Sequence, residues 1–96
     1  MTLHPVRGTH DLLPEQFALH HWITEQASRL SRCFGFAPID TPIFEFTEIF
    51  KRTLGESSEV VNKQMYTFPD NNGEELTLRP EGTAGIARAF LSNGLQ

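Results

Sequence analysis

The chain has 96 residues, 39% hydrophobic and 21% charged, with a formal net charge of −4. That length holds one small domain at most, and the composition is that of a folded chain rather than a disordered one. The acidic balance excludes a nucleic-acid platform built from this segment alone, which would need clustered Lys and Arg.

Residues 1–13 read as an extended arm, in which Arg7-Gly8-Thr9-His10-Asp11 supplies turn residues between the apolar anchors Val6 and Leu12-Leu13. Pro14 opens a helix, where its missing N–H costs nothing, and Glu15 to about Phe34 continues it. Leu19, Ile23, Ala27, Leu30 and Phe34 recur at three- and four-residue steps, with Trp22 and Cys33 widening the stripe. These are read as core or interface packing, with Cys33 a small core filler rather than a nucleophile. Gly35 is placed to end the helix. His20 and His21 are adjacent, so they point about 100° apart and cannot share an ion. No Cys or carboxylate partner has ligand spacing either, and no metal site is expected.

Phe36–Phe46 reads as a strand interrupted by Pro38 and Pro42. Two prolines cannot sit in a central strand, so this one belongs at an edge or a bulge. Thr47 then caps a short helix, Glu48 to Leu54, with Lys51 and Arg52 on its solvated face. Gly55 to Gln64 is a polar loop or turn. Met65–Pro69 and Glu75–Arg79 are two strands joined by Asp70-Asn71-Asn72-Gly73, whose Asn and Gly tolerate a left-handed backbone.

Leu76 to Gly85, "LTLRPEGTAG", is the stretch with chemistry in it. The alternation of Leu76 and Leu78 ends at Pro80, Glu81-Gly82-Thr83 turn, and Ala84 to Leu91 reads as a helix. A carboxylate and a hydroxyl therefore meet where a strand gives way to a helix N-terminus, a common place to hold small polar ligands. The plainer reading makes Thr83 an N-cap and Glu81 a charge favoured by the helix dipole. Arg88 reads as a solvated helix residue. Asn93-Gly94-Leu95-Gln96 follow with no closing element, so the chain is expected to be a piece of a larger α+β domain whose later antiparallel strands are missing. With one cysteine, no stretch of ~20 apolar residues and no signal-peptide order at the start, a cytoplasmic protein without membrane contact is expected.

The four blocks "RGTHDLLP", "GFAPIDTPIFEFTEIFKRTLGE", "VVNKQMYTF" and "LTLRPEGTA", in this order, resemble the N-terminus of bacterial histidyl-tRNA synthetases, a class II aminoacyl-tRNA synthetase family. The likeness covers essentially residues 1–96. It implies the first part of a class II antiparallel-sheet catalytic domain. The long helix and the strand bearing Pro42 and Ile43 are similar to the class II motif 1, which forms the homodimer interface. The "RPEGT" turn is similar to the family's histidine-binding turn, which implies that Glu81 and Thr83 hold the substrate's α-ammonium. Gly82 between them would let the ligand approach the backbone closely.

The resemblance further implies ATP-dependent formation of histidyl-adenylate and transfer of histidine to its tRNA, tRNA(His), with ATP and Mg²⁺ as the complete enzyme's reactants. The motif 2 and motif 3 arginines, the histidine-specific loop and the anticodon-binding domain are expected beyond Gln96. The segment alone is therefore expected to bind no cofactor, to carry no catalytic residue and to be inactive. No family role attaches to Arg79 or Arg88. An alternative is the synthetase-like regulatory subunit of ATP phosphoribosyltransferase, a non-catalytic relative whose ligand turn tends to read "RPDMT". Glu81-Gly82 and Met65-Tyr66-Thr67-Phe68 favour the synthetase.

Overall fold

The computed structural model describes residues 2–54 and 65–95. The polar loop expected at Gly55 to Gln64 lies outside them. The chain divides into two compact units, Met1–Ile39 and Asp40–Gln96.

In the first unit the arm makes the expected turn. The Val6 carbonyl accepts the Thr9 amide at 2.9 Å and the Thr9 hydroxyl at 2.5 Å, and Gly8 takes a positive φ of 87°. Helix α1 spans Pro14–Cys33 with proline opening it as expected. Its end is a Schellman closure around Gly35 at φ 83°. The Phe36 amide donates to the Ser31 carbonyl at 3.1 Å and the Gly35 amide to Arg32 at 3.0 Å. His21 stacks on Phe17 and lies 3.4 Å from Glu25.

No residue of α1 is buried. Leu19, Ile23 and Leu30 are each more than half exposed, and Cys33 is exposed as well. Cys33 is therefore not a core filler. A single helix with an arm offers no second layer against which to bury a stripe.

The second unit is built on a three-stranded antiparallel sheet, in the order β1-β3-β2. Strand β1 is Phe44–Phe46, β2 is Thr67–Pro69 and β3 is Glu75–Leu78. The strand expected over residues 36–46 shrinks to its last three, with Pro38 and Pro42 outside the ladder. It takes the edge position that the prolines demanded. β2 and β3 form the expected hairpin. Asp70 Oδ1 accepts the amides of Asn72 and Glu74 at 2.8 and 2.9 Å, and Gly73 turns at φ 83°.

Register sorts the two faces. Phe44 lies opposite Leu78, while Phe46, Leu76 and Phe68 form one cross-strand row. Glu45, Thr77 and Thr67 make the row on the opposite face. Helix α2, Thr47–Leu54, packs on β1, β3 and α3, Thr83–Ser92, leaving Phe50 at 0% exposure, Ala84 at 1% and Ala89 at 5%. Burying a phenylalanine such as Phe50 stabilises by about 1.5–3 kcal/mol.

The covered face is the polar one. Thr77, fully buried, shares hydrogen bonds with Thr47 Oγ1 at 2.8 Å and Thr67 Oγ1 at 3.0 Å. Thr47 is thus the first residue of α2 and spends its hydroxyl on the sheet. The apolar face, with Phe44, Phe46, Phe68 and Leu78, stays partly exposed. Helix α3 ends like α1, with Gly94 at φ 62° and the Leu95 amide donating to the Phe90 carbonyl at 3.1 Å.

Candidate functional site

Strand β3 delivers the chain to the turn. Its last ladder bond beyond Leu78 is the Arg79 amide to the Ile43 carbonyl, 2.8 Å. Arg79 Nη1 also donates to the Thr41 carbonyl at 3.1 Å. Pro80 then has no N–H to continue the ladder. Residues 80–82 bend, and α3 starts at Thr83.

The Glu81 carboxylate folds over the start of that helix. Its Oε2 accepts the Thr83 amide at 2.5 Å and its Oε1 the Ala84 amide at 2.9 Å. Two of the four amides that a helix start leaves without partners are satisfied in this way. Gly82 holds the N-cap position without a side chain, so Thr83 is the first helical residue and not the cap. The plainer expectation of a Thr83 cap is corrected. The capping side chain is Glu81, one residue before the N-cap position Gly82, because it is long enough to reach both amides.

These bonds set the ionisation of Glu81. The carboxyl is held below its ordinary value by the Ala84 amide first, against partial desolvation, with the Thr83 amide and hydroxyl adding to the lowering. Hydrogen bonds to the charged form favour it. An ionised carboxylate has about four lone-pair sites, of which the two amides and the Thr83 hydroxyl engage three. The remainder is available to a cation donor.

Glu81 is half-buried while Gly82 and Thr83 are exposed. A Cβ at Gly82 would meet no atom within 4 Å, so open space lies over the turn. A groove of about 730 Å³ starts at Gly82 and Thr83 and runs along Ile86, Ala87, Phe90 and Leu91. Its lining beyond the turn is apolar, which makes it a packing surface of α3 rather than the place where polar chemistry occurs. The three site residues expected from sequence are thus contiguous. Pro42 and Ile43 lie apart from them, exposed, ahead of β1.

A pair that the sequence did not show lies one turn below. Arg88 Nε donates to Glu45 Oε1 at 3.0 Å and Nη2 to Oε2 at 3.1 Å, a bidentate fork in which Glu45 is 8% and Arg88 26% exposed by side chain. Arg88 is therefore not a solvated helix residue. Its Nη1 donates to Ser92 Oγ at 2.9 Å. The signal available was Glu45 itself, a charge between Phe44 and Phe46 on a short strand, whose face must be covered. Among the described residues no three His, Cys, Asp or Glu side chains gather as a metal site.

Comparison with known proteins follows the same stretch of chain. A sequence model described as histidyl-tRNA synthetase matches residues 8–94. A histidine--tRNA ligase of Rhodospirillum rubrum is 59% identical over 93 residues, which is 97% of this chain and 22% of that protein. Among solved structures, apo histidyl-tRNA synthetase of S. aureus superposes with a TM-score of 0.83 at 36% identity, covering 99% of this chain and 22% of that one. A Bacillus halodurans structure described as an ATP phosphoribosyltransferase regulatory subunit/histidyl-tRNA synthetase gives 0.76 at 30% identity, over 96% of this chain and 23% of that one. The chain spans under a quarter of the length of each of these relatives.

Proposed function

Because the chain belongs to the histidyl-tRNA synthetase family, we propose that it is the amino-group end of the histidine pocket of a histidine--tRNA ligase. The whole enzyme activates histidine with ATP to histidyl-adenylate and transfers it to tRNA(His), as a cytoplasmic homodimer. Glu81, Gly82 and Thr83 receive the substrate's α-ammonium. Residues 1–96 belong to the class II catalytic domain, with α1 and the segment at Pro42 and Ile43 in the dimer interface. The groups that hold ATP and its Mg²⁺ are assigned to the remainder of the enzyme. The described residues gather no group of three His, Cys, Asp or Glu side chains for that ion.

One observation carries the reading. The Glu81 carboxylate is oriented by two helix amides and its pKa is lowered by them, beside a Gly82 over which there is open space. An ammonium has three donors; the carboxylate and the Thr83 hydroxyl offer it acceptors with charge assistance. The carboxylate is already oriented before the ligand arrives, so little ordering remains to be done on binding. The second reading, a regulatory subunit without aminoacylation, draws support from the double description of the Bacillus halodurans structure. That neighbour is also the more distant of the two solved structures.

The test is pyrophosphate exchange by the complete enzyme, with histidine and ATP varied in turn. Glu81→Gln keeps the shape but removes the charge facing the ammonium. Truncating a buried hydrogen-bonded charge pair costs about 2–5 kcal/mol, roughly 30- to several-thousand-fold in affinity, and the loss falls on histidine. The ATP dependence at saturating histidine stays as it was. Equal damage to both substrates would end the amino-group assignment, and absence of exchange in the unmutated enzyme would favour the regulatory subunit.

A further inference from the structure

The turn that bears Glu81 and Thr83 is anchored at both ends on one short stretch of chain, Thr41 to Glu45. On the way in, Arg79 is tied to it twice, through its amide to the Ile43 carbonyl and through Nη1 to the Thr41 carbonyl at 3.1 Å. On the way out, α3 comes down on the same stretch at Gly85. A Cβ there would stand 3.2 Å from Thr41 Oγ1 and 3.5 Å from Glu45 Oε2, so a larger residue would press on Thr41 by a few tenths of an ångström. One turn later Arg88 closes its fork on the Glu45 carboxylate.

We propose that Glu45 and Arg88 are positioning residues. Their fork fixes the rotation and depth of α3 on the sheet, and thereby the place of Glu81 and Thr83 relative to the bound amino acid. The inference rests on the reading of that turn as the ammonium site. The chemistry of the pair explains why it is ionic. A buried ion pair adds little or nothing to stability over well-packed apolar groups. A bidentate guanidinium–carboxylate pair, however, has one geometry, whereas an apolar contact tolerates sliding and rotation. Glu45 meets α3 directly at Gly85 and through its fork with Arg88, so its influence on a ligand at Glu81 and Thr83 runs through the helix.

The experiment uses the complete ligase and two mild variants. Glu45→Gln keeps the side-chain shape, and Arg88→Lys keeps charge and stem but not the fork. A misplacement of about 1 Å costs as much as ~100-fold, so each variant is expected to raise the histidine KM by roughly 10- to 100-fold. The ATP KM at saturating histidine is expected to stay unchanged. The double variant is expected to be no worse than the poorer single one, as for two residues acting through one contact. Folded variants with an unchanged histidine KM would overturn the proposal. So would parallel rises for both substrates, or a failure of both variants to fold, since the pair would then serve stability alone. Glu81→Gln measured alongside separates the two levels. If Glu81→Gln raises the histidine KM and the pair variants do not, positioning is wrong and the site stands. If Glu81→Gln has no effect on it, the site reading itself fails.

Discussion

At the scale of single residues, Glu81 caps α3 and is proposed also to receive the substrate's ammonium, and the capping can be tested by pH. Its carboxyl is held below the ordinary value, chiefly by the Ala84 amide. A folded-state value below the unfolded one means that the cap's stabilisation is complete above the unfolded carboxylate's range. It is lost as pH falls through the folded value. The stability gap between the wild-type enzyme and Glu81→Gln should therefore shrink on acidification, by thermal melting at a series of pH values. A gap of constant size across that series would remove the capping role. Thr83→Val tests the proposed ammonium site. It deletes a neutral hydroxyl's bond to a charged ligand, worth about 1.5–3 kcal/mol, so histidine affinity should fall by less than in Glu81→Gln. A larger loss than that of Glu81→Gln would reverse the assigned roles. The presence of the turn and its three residues was legible in the sequence, since Pro80 and Gly82 punctuate it. Which residue caps the helix was not, because reach from outside the helix is a matter of side-chain length and backbone bend rather than of residue preference.

At the scale of elements, helix α3 is held by a glycine where a helix would ordinarily prefer alanine by about 1 kcal/mol. Gly85 lies against Thr41 and Glu45, where a Cβ would already stand 3.2 Å from Thr41 Oγ1. Gly85→Val forces these neighbours apart, and overpacking of this kind costs about 1–3 kcal/mol. Chemical denaturation of the complete enzyme should register it as a lower midpoint. An unchanged or higher midpoint would show that α3 can lift off the strand without loss. Local signals carried most of the element boundaries: Pro14 and Gly35 bracket α1, Asp70 and Gly73 close the hairpin, and Pro38 and Pro42 confine β1 to an edge. The Glu45–Arg88 fork was not legible, because it joins residues 43 positions apart. No periodicity within either element marks such a pairing. The same limit explains Cys33, whose place on an apolar stripe says nothing about whether a second layer exists to cover it.

At the scale of the molecule, each unit leaves apolar surface uncovered. In the first, α1 exposes Leu19, Trp22, Ile23 and Leu30; in the second, the sheet exposes Phe44, Phe46 and Phe68. The 96-residue chain is therefore expected to self-associate, because apolar surface of this extent rarely stays in water unpartnered. Sedimentation at high micromolar concentration should show species heavier than 10.9 kDa, and Ile43→Asp should weaken them. A clean monomer would count against this. The same chain should show no histidine-dependent pyrophosphate exchange, since the triphosphate-binding groups are assigned elsewhere in the ligase. Exchange above background would relocate the ATP site into these residues.

The sheet order carries a consequence in time. Strand β3 sits between β1 and β2, but its two partners are at very different distances along the chain. Pro69 meets Glu75 across a tight turn, whereas Phe46 must find Leu76 thirty positions later. A ribosome adds ~5–20 residues per second, so β1 emerges roughly two to six seconds before the strand it pairs with exists. A hairpin closes in ~1–10 μs, so β2 and β3 join as soon as both are out. Synthesis and assembly thus run in opposite directions, and the edge strand with its phenylalanines is the last piece to settle although it is made first. Ribosome-bound chains halted with residues 54 to 70 just outside the exit tunnel should hold β1 accessible to a chaperone or a protease, and chains halted with residue 92 well outside it should not.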